Sequence, residues 1–159
     1  MLKNGKRILS QIDQLDRYEK IGWDFDGTLI DHPNSSLMHR YILDHPEKVH
    51  FIVTFRTHGM QRTVFPEMSM MYPDAPTKNH FADLFNIEDK AWERFMVLDR
   101  ERLAGLRHGE LLPWELYYIT WKGSICKQNG IGVLIDDRPE LVVPGCEKHG
   151  IAFVHPDTL

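Results

Sequence analysis

The sequence predicts an α/β fold, a three-layer sandwich in which a mostly parallel central sheet carries helices on both faces. Short apolar runs with the length of buried strands are separated by stretches with helical spacing, and this alternation is typical of parallel sheets. Three of the runs end in polar residues that can carry chemistry. Because ligands in such folds bind beyond the carboxyl ends of the strands, we expect those residues to converge on one crevice.

The first elements follow from apolar spacing. An amphipathic helix is predicted over residues 7–18, where Ile8, Leu9, Ile12 and Leu15 recur at helical intervals. It leads into a strand at residues 21–23. Ser36 is expected to cap a short helix that ends near Asp44, because serine is favoured at helix N-termini and a proline follows shortly. Residues 51–53 form the next predicted strand, which is expected to stop at Thr54.

The pattern is less regular between Thr54 and Asp136, where several prolines interrupt it. Apolar spacing predicts a helix over about 89–105. Another helix is expected to begin at Pro113, since proline is favoured in the first helical turn, and its aromatic residues are expected to pack in the core. Strands at residues 131–135 and 151–154 complete the predicted sheet.

The composition indicates one ordinary domain over residues 1–159, with 42% hydrophobic residues and enough chain to bury a core. The formal net charge is −4, which argues against a broad basic surface for duplex nucleic acid or an anionic membrane. Two cysteines and an N-terminus without a signal-peptide-like apolar stretch predict a cytoplasmic protein with reduced thiols. The composition leaves the oligomeric state open.

One segment says most about function: Asp24-Phe25-Asp26-Gly27-Thr28-Leu29, directly after the first predicted strand. Side chains in extended chain repeat with a period of two, so Asp24 and Asp26 are expected to point the same way and to place a nucleophile beside a proton carrier. Gly27 permits a sharp turn that the Thr28 hydroxyl can tie down. The alternative interpretation is a pair of solvated carboxylates in an Asp-Gly turn.

This segment, Thr54, Lys122 and the pair Asp136-Asp137 occur in the order of the four motifs of the haloacid dehalogenase superfamily, which the chain resembles over about residues 21–154. The resemblance implies a Rossmann-like fold without a large cap domain. It also implies that Asp24 attacks phosphorus to form an aspartyl-phosphate. In that chemistry Asp26 protonates the leaving oxygen and later takes a proton from the attacking water.

The resemblance further implies a bound Mg²⁺, held by Asp24, by the backbone carbonyl of Asp26 and by Asp136. Asp137 is expected to bind the metal through water or to orient its direct ligands. A phosphoryl oxygen is expected to contact Thr54 and Lys122. Lys127 is a rival for the lysine position.

Departures from the family pattern concern the substrate. The chain between residues 29 and 54 is too short for the helical cap that many relatives insert there, while residues 77–113 leave room for a small insertion. Relatives without a cap tend to act on large substrates, a link by analogy only. Arg56 and Arg138 lie next to the predicted mouth and are candidates either to grip a second anionic group or to form surface ion pairs. His32 and His58 are candidate neighbours of the site.

The sequence therefore predicts an Mg²⁺-dependent phosphatase that hydrolyses a phosphomonoester, with a phosphorylated substrate of unspecified size as its partner. Two alternatives stay open: a phosphatase that processes nucleic-acid ends, and a non-catalytic phosphate-binding module on the same fold. Dehalogenation is disfavoured, because a halide leaves without the proton that Asp26 would supply.

Overall fold

The computed structural model describes residues 11–96 and 111–159. Its strands are β1 (Lys20–Trp23), β2 (Val49–Thr57), β3 (Asp83–Ile87), β4 (Val133–Ile135) and β5 (Ala152–Val154). They form one parallel sheet in the order β3-β2-β1-β4-β5. The predicted α/β fold with a parallel central sheet is confirmed.

Helices cover both faces of this sheet. Those in the described chain are α1 (Ser35–Asp44), α2 (Val64–Met71), α3 (Lys90–Met96), α4 (Pro113–Gln128) and α5 (Pro139–His149). Met38 of α1 and Met68 of α2 belong to one buried cluster, together with Trp23 of β1. Helices α4 and α5 enclose a second cluster on the opposite face, which includes Leu134 of β4. Alternate residues of the strands thus feed two cores, and the architecture has three layers.

The strand order reverses at β1, which lies between β2 and β4. Trp23 pairs with Ile52 on one side and with Ile135 on the other, and the amide of Asp24 donates to the carbonyl of Ile135 at 2.9 Å. A reversal of strand order leaves a crevice at the carboxyl ends of the strands. The residues that follow β1 and β4 therefore meet at that crevice.

Helices α4 and α5 touch through their backbones. A Cβ added to Gly123 would overlap the backbone of Gly145, and one added to Gly145 would lie 2.7 Å from the Cα of Thr120. Only glycine permits so close an approach, because packed interiors leave no space for an added methyl group. Gly123 directly follows Lys122, so the close approach of the two helices lies next to this lysine in the sequence.

The early elements differ from prediction in their bounds. A 3-10 helix spans Gln11–Arg17 in place of the longer amphipathic helix, and residues 7–10 lie outside the described chain. The spacing of Ile12 and Leu15, both buried, suits a helix with three residues per turn. The residue at the N-cap of α1 is Asn34, not Ser36.

Strand β2 continues past the predicted stop at Thr54 to Thr57 and shifts its register against β3 on the way. It includes Arg56, whose charge is neutralised by the ion pairs described below. The predicted helix over 89–105 is α3 in its described part, and residues 97–105 lie outside it.

The sequence did not predict β3 or α5. Strand β3 lies at the sheet edge and mixes polar with apolar residues, while α5 contains Pro144 within its length. Since β3 belongs to the central sheet, residues 83–87 are not part of an insertion; residues 97–110 of the predicted insertion lie outside the described chain. None of the described helices has the length and apolar character that a bilayer crossing requires.

Candidate functional site

Three carboxylates meet at the carboxyl ends of β1 and β4. Asp24, Asp136 and Asp137 each offer one oxygen, and these oxygens lie within 4.8 Å of one another. Asp24 and Asp136 are buried, and Asp137 is half-buried. Because β1 and β4 are paired neighbours, the convergence predicted for their strand ends is confirmed.

A buried lysine from α4 joins this cluster. The Nζ atom of Lys122 donates to Asp24 Oδ1 at 2.7 Å and to Asp136 Oδ2 at 2.6 Å, and only 1% of the residue is exposed. Its ammonium also lies 4.5 Å from the centre of the Phe55 ring, an attractive arrangement for a cation. Lys127 is exposed, so Lys122 is the lysine at the site, where it contacts two carboxylates.

The cluster carries more negative than positive charge. Burial raises the pKa of Asp137 to about 7, with the Asp24 charge adding to the effect. Burial and Asp24 likewise raise the pKa of Asp136. For Lys122 burial lowers the pKa, but the charges of Asp136 and Asp24 outweigh it and hold the pKa above the usual lysine range. A cation at the carboxylates would relieve this repulsion.

The hydrogen bonds distinguish Asp136 from Asp137. Asp136 accepts from Lys122 through Oδ2 and from the backbone amide of Arg138 through Oδ1, the latter at 2.8 Å. In contrast, Asp137 Oδ1 is buried and has no hydrogen-bond partner among the described residues. An unpaired buried carboxylate oxygen is costly. Asp137 therefore offers an open ligand atom, and the all-oxygen donor set suits a hard divalent cation.

Gly27 brings the turn after β1 beneath Asp137. Its φ is +75°, and a Cβ at this position would overlap the Asp137 carboxylate, with the Cγ atom at 2.7 Å. Both the conformation and the space require glycine. Within the same turn, the Thr28 hydroxyl donates to Asp24 Oδ2 at 3.3 Å, the tie that the sequence suggested.

Asp26 is paired with an arginine. Arg56 donates from Nε and Nη2 to the two carboxylate oxygens of Asp26, at 2.9 and 2.7 Å, and from Nη1 and Nη2 to Glu67, at 2.6 and 3.1 Å. Its Cζ atom lies 4.6 Å from the centre of the Phe25 ring. The expectation that Asp26 and Asp24 point the same way assumed extended chain, but β1 ends at Trp23. Asp26 lies in the following turn, where the period of two does not apply.

The remaining predicted residues lie around the crevice or away from it. Thr54 is buried, lines the crevice and accepts from the amide of Arg56 at 3.0 Å. Arg138 is partly exposed, with Nε 3.4 Å from Asp137 Oδ2. His32 bonds to Asp157 and His58 to the carbonyl of Asn86; neither lines the crevice.

The crevice forms a cavity of about 440 Å³ above the carboxylates. Sequence reasoning placed the charged and polar lining residues but missed its apolar members, which are Phe55, Met60, Tyr118 and Leu141. One signal was available: Tyr118 precedes Lys122 by four residues in a predicted helix, a spacing that puts both on one face. No comparable sequence pattern indicates that β2 continues beyond Thr54, and this continuation places Phe55 and Met60 at the cavity.

Comparisons with known proteins add little. No protein-family model and no curated protein matches the chain. Among solved structures, the chain is similar to an uncharacterized protein from Corynebacterium glutamicum ATCC 13032 Kitasato, with a TM-score of 0.46 and 12% sequence identity over 86% of this chain and 83% of that chain. A similarity of this strength carries no argument about function, which must come from the site.

Proposed function

We propose that this protein is an Mg²⁺-dependent phosphatase of the haloacid dehalogenase type, which hydrolyses a phosphomonoester through an aspartyl-phosphate on Asp24. The observation that carries the proposal is the position of Asp24, at the strand reversal and at the base of the cavity, 2.7 Å from the ammonium of Lys122. A carboxylate nucleophile held by a cation, in a crevice with further carboxylates, suits phosphoryl transfer.

The residues present fit a bound Mg²⁺. Asp24, Asp136 and Asp137 would hold it, since each offers one oxygen, and Asp137 Oδ1 is buried without a hydrogen-bond partner among the described residues. A direct role for Asp137 differs from the role through water, or as an orienting residue, that the family resemblance implied. When bound, the metal would neutralise charge on the phosphoryl oxygens and offset the repulsion among the carboxylates.

The chain's own residues would divide the reaction as follows. Asp24 forms a bond to phosphorus as the bond to the leaving oxygen breaks, and Asp26 gives that oxygen a proton. Water then attacks the phosphorus of the aspartyl-phosphate, Asp26 takes the water's proton, and Asp24 is released. The Thr54 hydroxyl lines the cavity and can donate to a phosphoryl oxygen.

Lys122 would act as a positioning residue. Its ammonium lies between Asp24 and Asp136 and is buried, so it fixes the nucleophile and balances its charge. This differs from the direct phosphate contact expected from the sequence. A preorganised cation next to the reacting carboxylate contributes without any reorganisation during the reaction.

One observation favours the alternative of a non-catalytic phosphate-binding module. Both oxygens of Asp26 are bound by Arg56, and the acid role requires Asp26 to leave that pair. A module that only binds phosphate has no need of this movement. Turnover distinguishes the two functions.

The test is hydrolysis of p-nitrophenyl phosphate with Mg²⁺ and with EDTA, using the wild type and Asp24→Asn. The proposal expects metal-dependent turnover that Asp24→Asn abolishes, and a phosphorylated wild-type chain detectable by mass spectrometry after acid quench. Undiminished hydrolysis in the variant would overturn the role of Asp24. Binding of inorganic phosphate without turnover of any ester would favour the binding module.

A further inference from the structure

We infer that the apolar part of the cavity is a leaving-group subsite, and that the substrates are phosphate monoesters of uncharged, apolar alcohols about the size of a single ring. This rests on the proposed phosphatase function and names the substrate class for the same site. The cavity of about 440 Å³ lies within the range of pockets that bind small organic ligands. A phosphoryl group alone would leave most of it empty.

The walls of the cavity carry the first argument. Phe55, Met60, Tyr118 and Leu141 line it together with the carboxylate cluster. The Phe55 ring stacks on Tyr118, with centroids 4.4 Å apart and an angle of 16° between the ring planes. Tyr118 is buried at 2% exposure, so the stacking contact holds the Phe55 ring in place. The result is a rigid, flat apolar surface beside the nucleophile.

Met60 makes this surface adaptable at one position. It lies in the 3-10 helix His58–Thr63 that follows β2, and it is half-exposed at the cavity. An unbranched thioether can adjust its rotamer to an apolar ligand. Burial of an apolar leaving group against Met60 and Phe55 would remove hydrophobic surface from water, which favours binding.

The charges carry the second argument. Among the described residues that line the cavity, the cationic ones are Arg56, Lys122 and Arg138, and each already faces a carboxylate. Arg56 forms ion pairs with Asp26 and Glu67. Lys122 forms ion pairs with Asp24 and Asp136, and Arg138 lies 3.4 Å from Asp137. A second phosphate or a nucleic-acid backbone would have to break one of these pairs. An uncharged leaving group fits the site without that cost.

The test compares matched benzyl and ethyl compounds. Binding of benzylphosphonate and ethylphosphonate is measured by calorimetry in Mg²⁺, and kcat/KM is measured for benzyl phosphate and ethyl phosphate. Benzyl alcohol and ethanol have similar acidity, so the difference reports the subsite and not leaving-group ability. We expect the benzyl compound to be preferred by about 10- to 100-fold in both measurements, as burial of its extra carbons predicts.

A pair of methionine variants locates the effect. Met60→Gln keeps the length of the side chain and makes it polar, so it should reduce the benzyl preference several-fold. Met70→Gln is the matched control, because Met70 is 83% exposed on α2 and does not line the cavity. The control should leave the rates on both esters unchanged.

The outcomes separate the two proposals. Turnover of both esters with equal kcat/KM would overturn the subsite and leave the phosphatase proposal standing. A benzyl preference in phosphonate binding without turnover of any ester would support the subsite and overturn the phosphatase. Failure of both phosphonates to bind, with no turnover of either ester, would overturn both, and an unchanged preference in Met60→Gln would overturn the assigned wall.

Discussion

Arg56 binds both carboxylate oxygens of Asp26, at 2.9 and 2.7 Å. Arg56 lies near the end of β2, whereas Asp26 lies in the turn after β1. The same guanidinium binds Glu67 of α2 through two further hydrogen bonds. Bidentate pairs of this kind fix geometry as well as charge. Asp26 therefore has a defined position, and under the proposed function Glu67 would keep Arg56 in place when Asp26 leaves the pair.

The acid role of Asp26 predicts a dependence on the leaving group. For Asp26→Asn we expect kcat/KM on benzyl phosphate to fall by about 10²- to 10⁴-fold, the usual contribution of a general acid. The fall on p-nitrophenyl phosphate should be much smaller, because nitrophenolate leaves without protonation. Steady-state kinetics on both esters measures this. The control is Asp74→Asn, at an exposed turn, and equal losses on the two esters would contradict the acid role.

Removal of the Lys122 ammonium should destabilise the fold. Lys122→Met leaves Asp24 and Asp136 as buried carboxylates without their cation, a change that typically costs about 3–5 kcal/mol of unfolding free energy. Urea unfolding in EDTA measures it. Lys127→Met is the matched control, since Lys127 is exposed on the same helix, and its stability should match the wild type. Equal stability of the two variants would show that Lys122 does not balance the cluster.

The raised pKa of Asp137 predicts how stability depends on pH. The folded protein holds this proton up to about pH 7, whereas the unfolded chain releases it near the ordinary value of 3.8. Between these values the folded state binds more protons, so this contribution to stability is present at low pH and is lost as pH rises to about 7. Lys122 stays charged throughout this window, because its pKa is raised.

Unfolding of the metal-free protein in EDTA at several pH values between about 4 and 8 measures this dependence. Asp137→Asn removes the titrating group, so its loss of stability over this range should be smaller than that of the wild type. Added Mg²⁺ should stabilise the wild type more at the upper end, where protons no longer compete for the carboxylate. Identical pH profiles for the two proteins would contradict the raised pKa.

The close contact between α4 and α5 predicts that a methyl group added at Gly123 lowers the stability of the fold. Gly123→Ala would place a Cβ against the backbone of Gly145, and overpacking of this kind costs about 1–3 kcal/mol or more. Gly59→Ala is the control, because its nearest neighbour would be an ordinary 3.6 Å away. Thermal and urea unfolding compare the two. A fully stable Gly123→Ala would mean that the helices separate without cost.

The sequence predicted β1, β2, β4 and β5 because each contains an apolar run, and strand ends next to one another in a parallel sheet bring their following residues together. It could not predict β3, an edge strand with polar residues such as Asp83 and Asn86. Helix α5 was missed because Pro144 lies inside it, although Gly150 at its end, with a φ of +69°, is a typical helix stop.

The details of the site depend on side-chain contacts between distant segments, which no local pattern encodes. Lys122 was predicted, but its burial between Asp24 and Asp136 joins a helix to the ends of two strands that are distant in the sequence. The pair of Arg56 with Asp26 joins β2 to the turn after β1, two segments far apart in the sequence. The apolar wall depends on the continuation of β2 beyond Thr54, where the sequence predicted the strand to stop.

Strand β1 lies between β2 and β4, and the carboxylate cluster and the apolar wall of the cavity are built from different segments around it. The carboxylates come from the turns after β1 and β4, while Met60 comes from the 3-10 helix after β2 and Leu141 from α5. Under the proposed function, substitution at these two wall positions would alter which alcohol is accepted and leave the carboxylates in place. Such a division would let new substrates be accepted through single changes at the wall, with the proposed reaction preserved.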